Sequence, residues 1–338
     1  MGTTNTRHPD AKKKQQEKAS VEHWRHRYVD SRSMNMVSLF SAVGAAVVAL
    51  VISLTSLTQD PTAGSDRSPK TGAETHPLAR AAKIAIDNGV SKEYVDLLMQ
   101  DSTTAFDEKY VRTNVTNFAT KPDYSHNWSS EAVSNVRDFL MRNKTVLHRA
   151  DSIHGVPPQI IGALLWVETK HGRFTGKHHV PSVYLSLLLS NEASFVESNT
   201  LLVMKNRSID SSKIDSVRGS VQKRADRKVN WAIQQLKALQ SIQQRRTMNT
   251  LTLRGSWAGA FGLTQFLPSS YLSSAADGND DGLIDLYQLD DAVFSVANYL
   301  DRAGWGKTPE QQRKAIHHYN NSDDYVNAVM KLAGLASE

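Results

Sequence analysis

The 338-residue sequence predicts a mainly α protein. Three observations carry that expectation. Apolar residues recur three and four positions apart in one stretch after another, the repeat of a helix with one buried face. Proline, serine and glycine stand where helices start and stop. One uncharged run is long enough to cross a bilayer as a helix. Against these stands only a short β-prone stretch at residues 249–253.

Residues 1–36 form a basic tail with eight Lys or Arg and four Asp or Glu, including Lys12, Lys13 and Lys14. Val37–Leu57 follows, 21 residues without a charge, and residues 37–58 read as a transmembrane helix. Only Arg67 and Lys70 are basic on the far side, in residues 59–75. The excess of positive charge therefore places the N-terminus in the cytoplasm and the rest of the chain outside the inner membrane. A cleaved signal peptide is the weaker reading, because the leader is too long for one and lacks a small-x-small cleavage site. The whole chain is +6, but outside the tail it is only +2, which is poor support for nucleic-acid binding. There is no cysteine, hence neither a disulfide nor a lipid on an N-terminal cysteine.

Residues 59–77 are a Pro/Gly/Ser/Thr linker. Residues 78–338 are expected to form one helical domain. Leu78–Ile86, Tyr94–Met99 and Ser129–Arg149 carry the helical spacing, as do the short apolar Pro181–Leu189 and the amphipathic Trp231–Gln244. Residues 206–228, charged and rich in serine, read as an exposed, mobile insertion.

Within this frame one carboxylate stands out. Glu168 ends an apolar run, Ile160–Val167, that Pro157 and Pro158 open and Gly172 is expected to cap. A carboxyl group among Leu164, Leu165, Trp166 and Val167 loses solvation, so its pKa rises and it stays protonated near neutrality. A general acid for glycosidic cleavage needs that property. The plainer alternative is a half-buried ion pair with Lys170 or Arg173.

Two further stretches are informative. Residues 255–271, GSWAGAFGLTQFLPSSY, hold small residues that let backbones approach closely, as a groove floor or a tight helix pair requires. Gln265 offers both a donor and an acceptor there. Residues 277–285, DGNDDGLID, open like an EF-hand loop: Asp277, Asn279 and Asp281 at positions one, three and five, Gly282 at six, and the Leu283 carbonyl at seven. Position twelve is Gln288, but Asp291, three residues on, can supply the closing carboxylate. A solvated Asp/Asn/Gly turn is the alternative.

Together with HHYNNSDDYVNAVM near the C-terminus, these blocks resemble the lytic murein transglycosylase B family of peptidoglycan-cleaving enzymes, over about residues 130–331. The resemblance implies a lysozyme-like helical domain with a groove for glycan strands. It assigns the acid/base to Glu168, with Ser256 touching that carboxylate. It gives sugar contacts to Gln265, Tyr319 and Asn320. It implies a structural Ca²⁺ held by Asp277, Asn279, Asp281, Asp291 and the Leu283 carbonyl, and no organic cofactor. Many members are lipoproteins; here the transmembrane helix takes that part.

The implied reaction needs one carboxylate. Glu168 protonates the oxygen between N-acetylmuramic acid and N-acetylglucosamine, then takes the proton of the muramic 6-hydroxyl as that oxygen closes on C1. The product is a 1,6-anhydro sugar. A hydrolytic muramidase and an inactive glycan-binding scaffold are the competing readings. The histidines at 171, 178, 179, 317 and 318 lack the spacing of a zinc site.

Overall fold

The computed structural model describes residues 76–116 and 123–338. The basic tail, the expected membrane span 37–58 and most of the linker lie outside them. Among the described residues no helix is long and apolar enough to cross a membrane.

The described residues are mainly helical, as their periodicity requires. They open with α1 (Pro77–Asp87), α2 (Lys92–Gln100) and α3 (Glu108–Thr116), and His76 and Ser91 cap α1 and α2 through their side chains. A 3-10 turn, Ser125–Trp128, leads into α4 (Ser130–Arg142) and α5 (Lys144–His154). The sequence suggested one segment here. Instead the chain breaks at Asn143, whose side-chain amide donates to the Phe139 carbonyl and ends α4. Helix α6 (Pro158–Thr169) follows, and its apolar residues point all round, which suits a helix buried on every side.

A two-stranded ribbon, β1 (His178–His179) against β2 (Arg254–Gly255), runs antiparallel with His178 opposite Gly255. Residues 249–253, expected as a strand, form turns that lead into β2. Between β1 and β2 lie α7 (Val180–Leu187), α8 (Ala193–Asn206) and the 32-residue α9 (Ile214–Arg245). The reading of 206–228 as a mobile insertion is therefore corrected from Ile214 onward. Val217, Val221 and Ala225 repeat every four residues and seat the charged half of α9 against Val111, Val115, Val196 and Val203. The apolar stripe is narrow, so composition hid it. Helices α10 (Pro268–Ser274), α11 (Leu289–Arg302), α12 (Pro309–Tyr319) and α13 (Asp323–Ser337) complete the chain.

Two large cores organise these elements. One gathers α4–α6 and α11–α13 around Leu147, Ile161, Leu164, Leu165, Phe294 and Tyr325. The other gathers α1, α2, α7 and α9 around Leu98, Tyr184, Leu188, Leu236 and Phe261. The loop after β2 joins them: Leu263 enters the first core, Phe261 and Phe266 the second, and Tyr319 packs against both. The end of α6, carrying Glu168, lies beside this seam, because Thr169 donates its hydroxyl to the Leu263 carbonyl.

Candidate active site around Glu168

Helix α6 stops sooner than its glycine suggests. Lys170, His171 and Gly172 take successive positive φ of 53°, 56° and 92°, and Lys170 rather than Gly172 is the C-cap. Two non-glycine residues in the left-handed region are sparsely populated backbone, the kind that collects at functional sites. The turn is held by contacts: His171 Nε2 bonds to the Gly162 carbonyl, and the imidazole stacks on Phe139 at 3.9 Å. Burial drives the His171 pKa down to about 4, so this ring is a neutral structural wedge.

Glu168 is half-buried at the end of a buried helix. Tyr325, from the first turn of α13, donates its hydroxyl to Glu168 Oε1 at 2.5 Å. Desolvation dominates the titration of the carboxyl and lifts its pKa from 4.5 to about 7; the Tyr325 hydrogen bond and the Lys170 charge pull the other way. The ion pair with Lys170 or Arg173 does not form. Lys170 Nζ donates to Asn127 Oδ1 and sits 4.9 Å over the Trp166 ring, while Arg173 reaches Asn135. Burial lowers the Lys170 pKa to about 8, against the pull of Glu168.

The other expected residues gather unevenly. Ser256 is buried and its Oγ accepts the Ala260 N–H within its own loop. The expected contact with Glu168 is not made; Tyr325 takes that place. Gln265, at φ 50°, donates both amide hydrogens, to the Thr175 and Gly262 carbonyls, which leaves Oε1 to meet a ligand. Tyr319 donates to the Thr264 carbonyl at 2.6 Å, and Glu168 contributes to raising its pKa. Asn127 Nδ2 and Trp166 Nε1 are buried without a hydrogen-bond partner, while the Asn320 side chain lies close enough to Tyr124 to act on its titration. Tyr124 lies against Tyr325 edge to face at 5.8 Å, and the nearby Glu168 adds to its raised pKa of about 12. Buried polar atoms without partners are rare, and two beside Lys170, which follows Glu168 by two residues, suit a polar ligand.

Tyr325, Tyr124 and Asn127 are the neighbours that sequence reasoning missed. Tyr325 lies inside the C-terminal block that carries the resemblance, and that block was the only available signal. Small residues do bring backbones together here. A Cβ on Gly255 would stand 2.2 Å from the Ala260 carbonyl oxygen, and one on Gly259, at φ 80°, 2.4 Å from the Tyr184 ring.

In the acidic loop the side-chain oxygens accept backbone N–H groups of the turn. Gly282 turns the chain at φ 87° and donates to Asp277 Oδ2, while Asp277 Oδ1 is buried with no partner. Asp281 accepts from Leu283, and Asn279 from Asp281. Asp291, 1 % exposed, accepts the Gly278 and Asp285 N–H groups. Its pKa is raised by burial, with Asp277 and Asp281 adding repulsion. Gln288 caps α11, so the carboxylate falls three residues later, in that helix's first turn. Among the described residues no three His, Cys, Asp or Glu side chains could hold a metal by themselves. An EF-hand loop also uses amide and backbone oxygens, which Asn279 and Leu283 offer. The orphaned Asp277 Oδ1 and the mutual repulsion fit a hard cation.

A mainly helical fold around one shielded carboxyl defines a lysozyme-like class of protein. Residues 73–314 match the transglycosylase SLT domain, and the chain belongs to that family. Over 169 residues it is 30% identical to membrane-bound lytic murein transglycosylase B of Escherichia coli, a stretch that covers 50% of this chain and 37% of that protein. The fold is that of Escherichia coli Slt35, solved with bulgecin A: TM-score 0.57, 22% identity, covering 78% of this chain and 94% of that one. Slt35 solved with calcium gives a TM-score of 0.56 at 21% identity, over the same 78% and 94%. SltB3 of Pseudomonas aeruginosa, solved with NAG-NAM-pentapeptide, gives 0.58 at 18% identity, covering 76% of this chain and 77% of that one.

Proposed function

We propose that this protein is a membrane-anchored periplasmic lytic transglycosylase. It cleaves the β-1,4 bond between N-acetylmuramic acid and N-acetylglucosamine in peptidoglycan and leaves a 1,6-anhydro end. The observation that carries this reading is the single shielded carboxyl of Glu168, with a pKa of about 7 under a tyrosine hydroxyl. Tyr325 and Lys170 act on its titration against the dominant desolvation.

Protonated Glu168 gives its proton to the glycosidic oxygen, and the bond from that oxygen to muramic C1 breaks. The N-acetyl carbonyl supports the cationic carbon. The Glu168 carboxylate then takes the proton of the 6-hydroxyl as its oxygen bonds to C1, which returns the acid. An internal nucleophile has a large entropic advantage over water. Gln265 Oε1, Asn320, Tyr319 and the Ser256 hydroxyl are the polar groups offered to the sugars. Asp277, Asn279, Asp281, Asp291 and the Leu283 carbonyl would hold a Ca²⁺ that stiffens the loop ahead of α11, away from the chemistry. Residues 37–58 anchor the domain with the N-terminus in the cytoplasm; their uncharged composition and basic flank support this, and the Escherichia coli relative is named as membrane-bound.

Digestion of purified peptidoglycan followed by mass spectrometry tests the reading. Anhydro ends are expected, and Glu168→Gln should fold normally yet lose about 10²- to 10⁴-fold in turnover. Reducing ends would make the protein a hydrolytic muramidase, and the absence of any cleavage would make it a glycan-binding scaffold.

A further inference from the structure

The cleavage proposed for Glu168 uses an N-acetyl carbonyl and a 6-hydroxyl. N-acetylglucosamine carries both groups as well, so neither tells the two alternating sugars of the strand apart. Only N-acetylmuramic acid has a lactyl ether on C3. That ether ends in a carboxyl group, a carboxylate where no peptide is attached and an amide carbonyl where one is. Discrimination between the sugars therefore calls for a donor near Glu168 that meets this acceptor and is left unpaired by a sugar lacking it.

The structure has such a donor at the end of the same helix. Lys170 follows Glu168 by two residues, so their Cα atoms lie within about 7.6 Å of each other. As the C-cap of α6 it has left-handed backbone, φ 53°, and its side chain lies over the Trp166 ring, 4.9 Å from the centroid. The ammonium donates to Asn127 Oδ1 and forms no ion pair among the described residues. An ammonium has three N–H groups, so this bond leaves donors to spare.

The surroundings are also rich in donors. Asn127 and Trp166 are buried, and neither Asn127 Nδ2 nor Trp166 Nε1 has an acceptor. The Arg173 guanidinium lies 6.0 Å from the same indole and adds positive charge. Glu168 acts on Lys170, but it keeps its own proton up to about pH 7. Asp123, four residues before Asn127, is exposed and accepts from the Ser125 N–H and hydroxyl. A second chain of contacts ties the group to Glu168. Asn127 donates its N–H to the Tyr124 carbonyl, Tyr124 meets Tyr325 edge to face, and Tyr325 holds Glu168 Oε1. The ammonium is thus fixed beside the acid, and a charged acceptor suits it better than a neutral one.

We propose that Lys170, steered by Asn127 and Trp166, binds the lactyl carboxyl group of N-acetylmuramic acid and so selects which of the two alternating bonds Glu168 cleaves. This deepens the functional reading above and rests on it for the identity of the sugars.

The test is a calorimetric titration of the Glu168→Gln protein, so that no ligand is consumed. Three ligands are compared: a peptide-free tetrasaccharide of alternating N-acetylglucosamine and N-acetylmuramic acid, the same tetrasaccharide with amidated lactyl carboxylates, and chitotetraose, which has the backbone without lactyl groups. The free acid should bind most tightly and chitotetraose least. Adding Lys170→Met should weaken the free acid about tenfold, the loss expected for a charged hydrogen bond, the amide only a few-fold, and chitotetraose not at all. Equal losses for all three ligands, or no loss, would overturn the proposal, as would a parent that binds chitotetraose as tightly as the free acid. Should Lys170→Met fail to fold, Lys170→Gln decides: it keeps a donor without the charge, so it should lose the preference for the free acid over the amide, and a preserved preference would overturn the proposal. Binding of none of the three ligands would overturn it as well. Because binding is read without turnover, the product assay on the wild type then tells whether the functional reading falls with it or stands alone.

Discussion

At the scale of single residues, the decisive quantity is the proton on Glu168. Its pKa in the folded protein is about 7, above the 4.5 of a free side chain. Below about pH 4.5 the carboxyl is protonated in both the folded and unfolded states and contributes no difference. Between the two values the folded state holds more protons, so stability falls as pH rises, and the cost is complete above about 7. Full expression of that shift is on the order of 3 kcal/mol. Glu168→Gln should therefore melt above the wild type, by a margin that widens from pH 4 to pH 8; a margin independent of pH would contradict the assignment. If the same proton serves the cleavage proposed above, kcat/KM should fall above about pH 7. The Tyr325 hydroxyl stabilises the charged form. Tyr325→Phe should thus move the alkaline limb of the pH–rate profile to higher pH, and a limb that stays in place would show that Tyr325 only packs. Tyr325 also shows why part of the site was hidden in the sequence. Glu168 announced itself as a charge in an apolar run, whereas Tyr325 stands 157 positions away on another helix, and nothing local marks it.

At the scale of elements, two glycines separate local propensity from tertiary packing. Gly219 lies exposed inside α9, and a Cβ there would meet nothing within 4 Å. Gly219→Ala should stabilise the protein by about 0.5–1 kcal/mol by restricting the unfolded chain. Gly259 is the opposite case, with φ 80° and the Tyr184 ring in the way of any side chain. Gly259→Ala should cost about 2 kcal/mol or more through strain and displacement of Tyr184, whose hydroxyl holds the Gly259 carbonyl. Denaturant melts of the two variants check both signs. The same contrast explains what the sequence disclosed. The apolar repeats of α1, α2 and α6 were plain because each has a face or a whole surface to bury. The first half of α9 was missed because its buried stripe is one residue wide among many charges. The end of α6 was misplaced because tertiary contacts, above all His171 wedged against Phe139, hold Lys170 and His171 in a conformation that local preference disfavours.

At the scale of the whole molecule, the site depends on two cores staying in register. Glu168 belongs to one, the loop through Phe261 and Phe266 to the other, and only the seam brings them together. The acidic loop leads into α11, a helix of the first core, while Leu286 beside it packs in the second. A cation held there would therefore brace both. Without one, Asp277, Asp281 and Asp291 repel each other and Asp277 Oδ1 stays buried and unpaired. Binding to the folded state alone stabilises it by about 2.7 kcal/mol when the free ion is at 100 times its dissociation constant. Millimolar Ca²⁺ should then raise the melting temperature over a chelated sample, by several degrees for a domain of this size. Asp291→Asn keeps the acceptor that faces the Gly278 N–H but removes a charge from the loop. It should melt nearer to the wild type in chelator than in Ca²⁺, and its own response to Ca²⁺ should shrink. Mg²⁺ at equal concentration should do less, since it prefers a tighter octahedron than a flexible loop of carboxylates, amide and carbonyl provides. An identical melt with and without Ca²⁺ would reduce the loop to a turn, and the seam would then rest on side-chain packing alone.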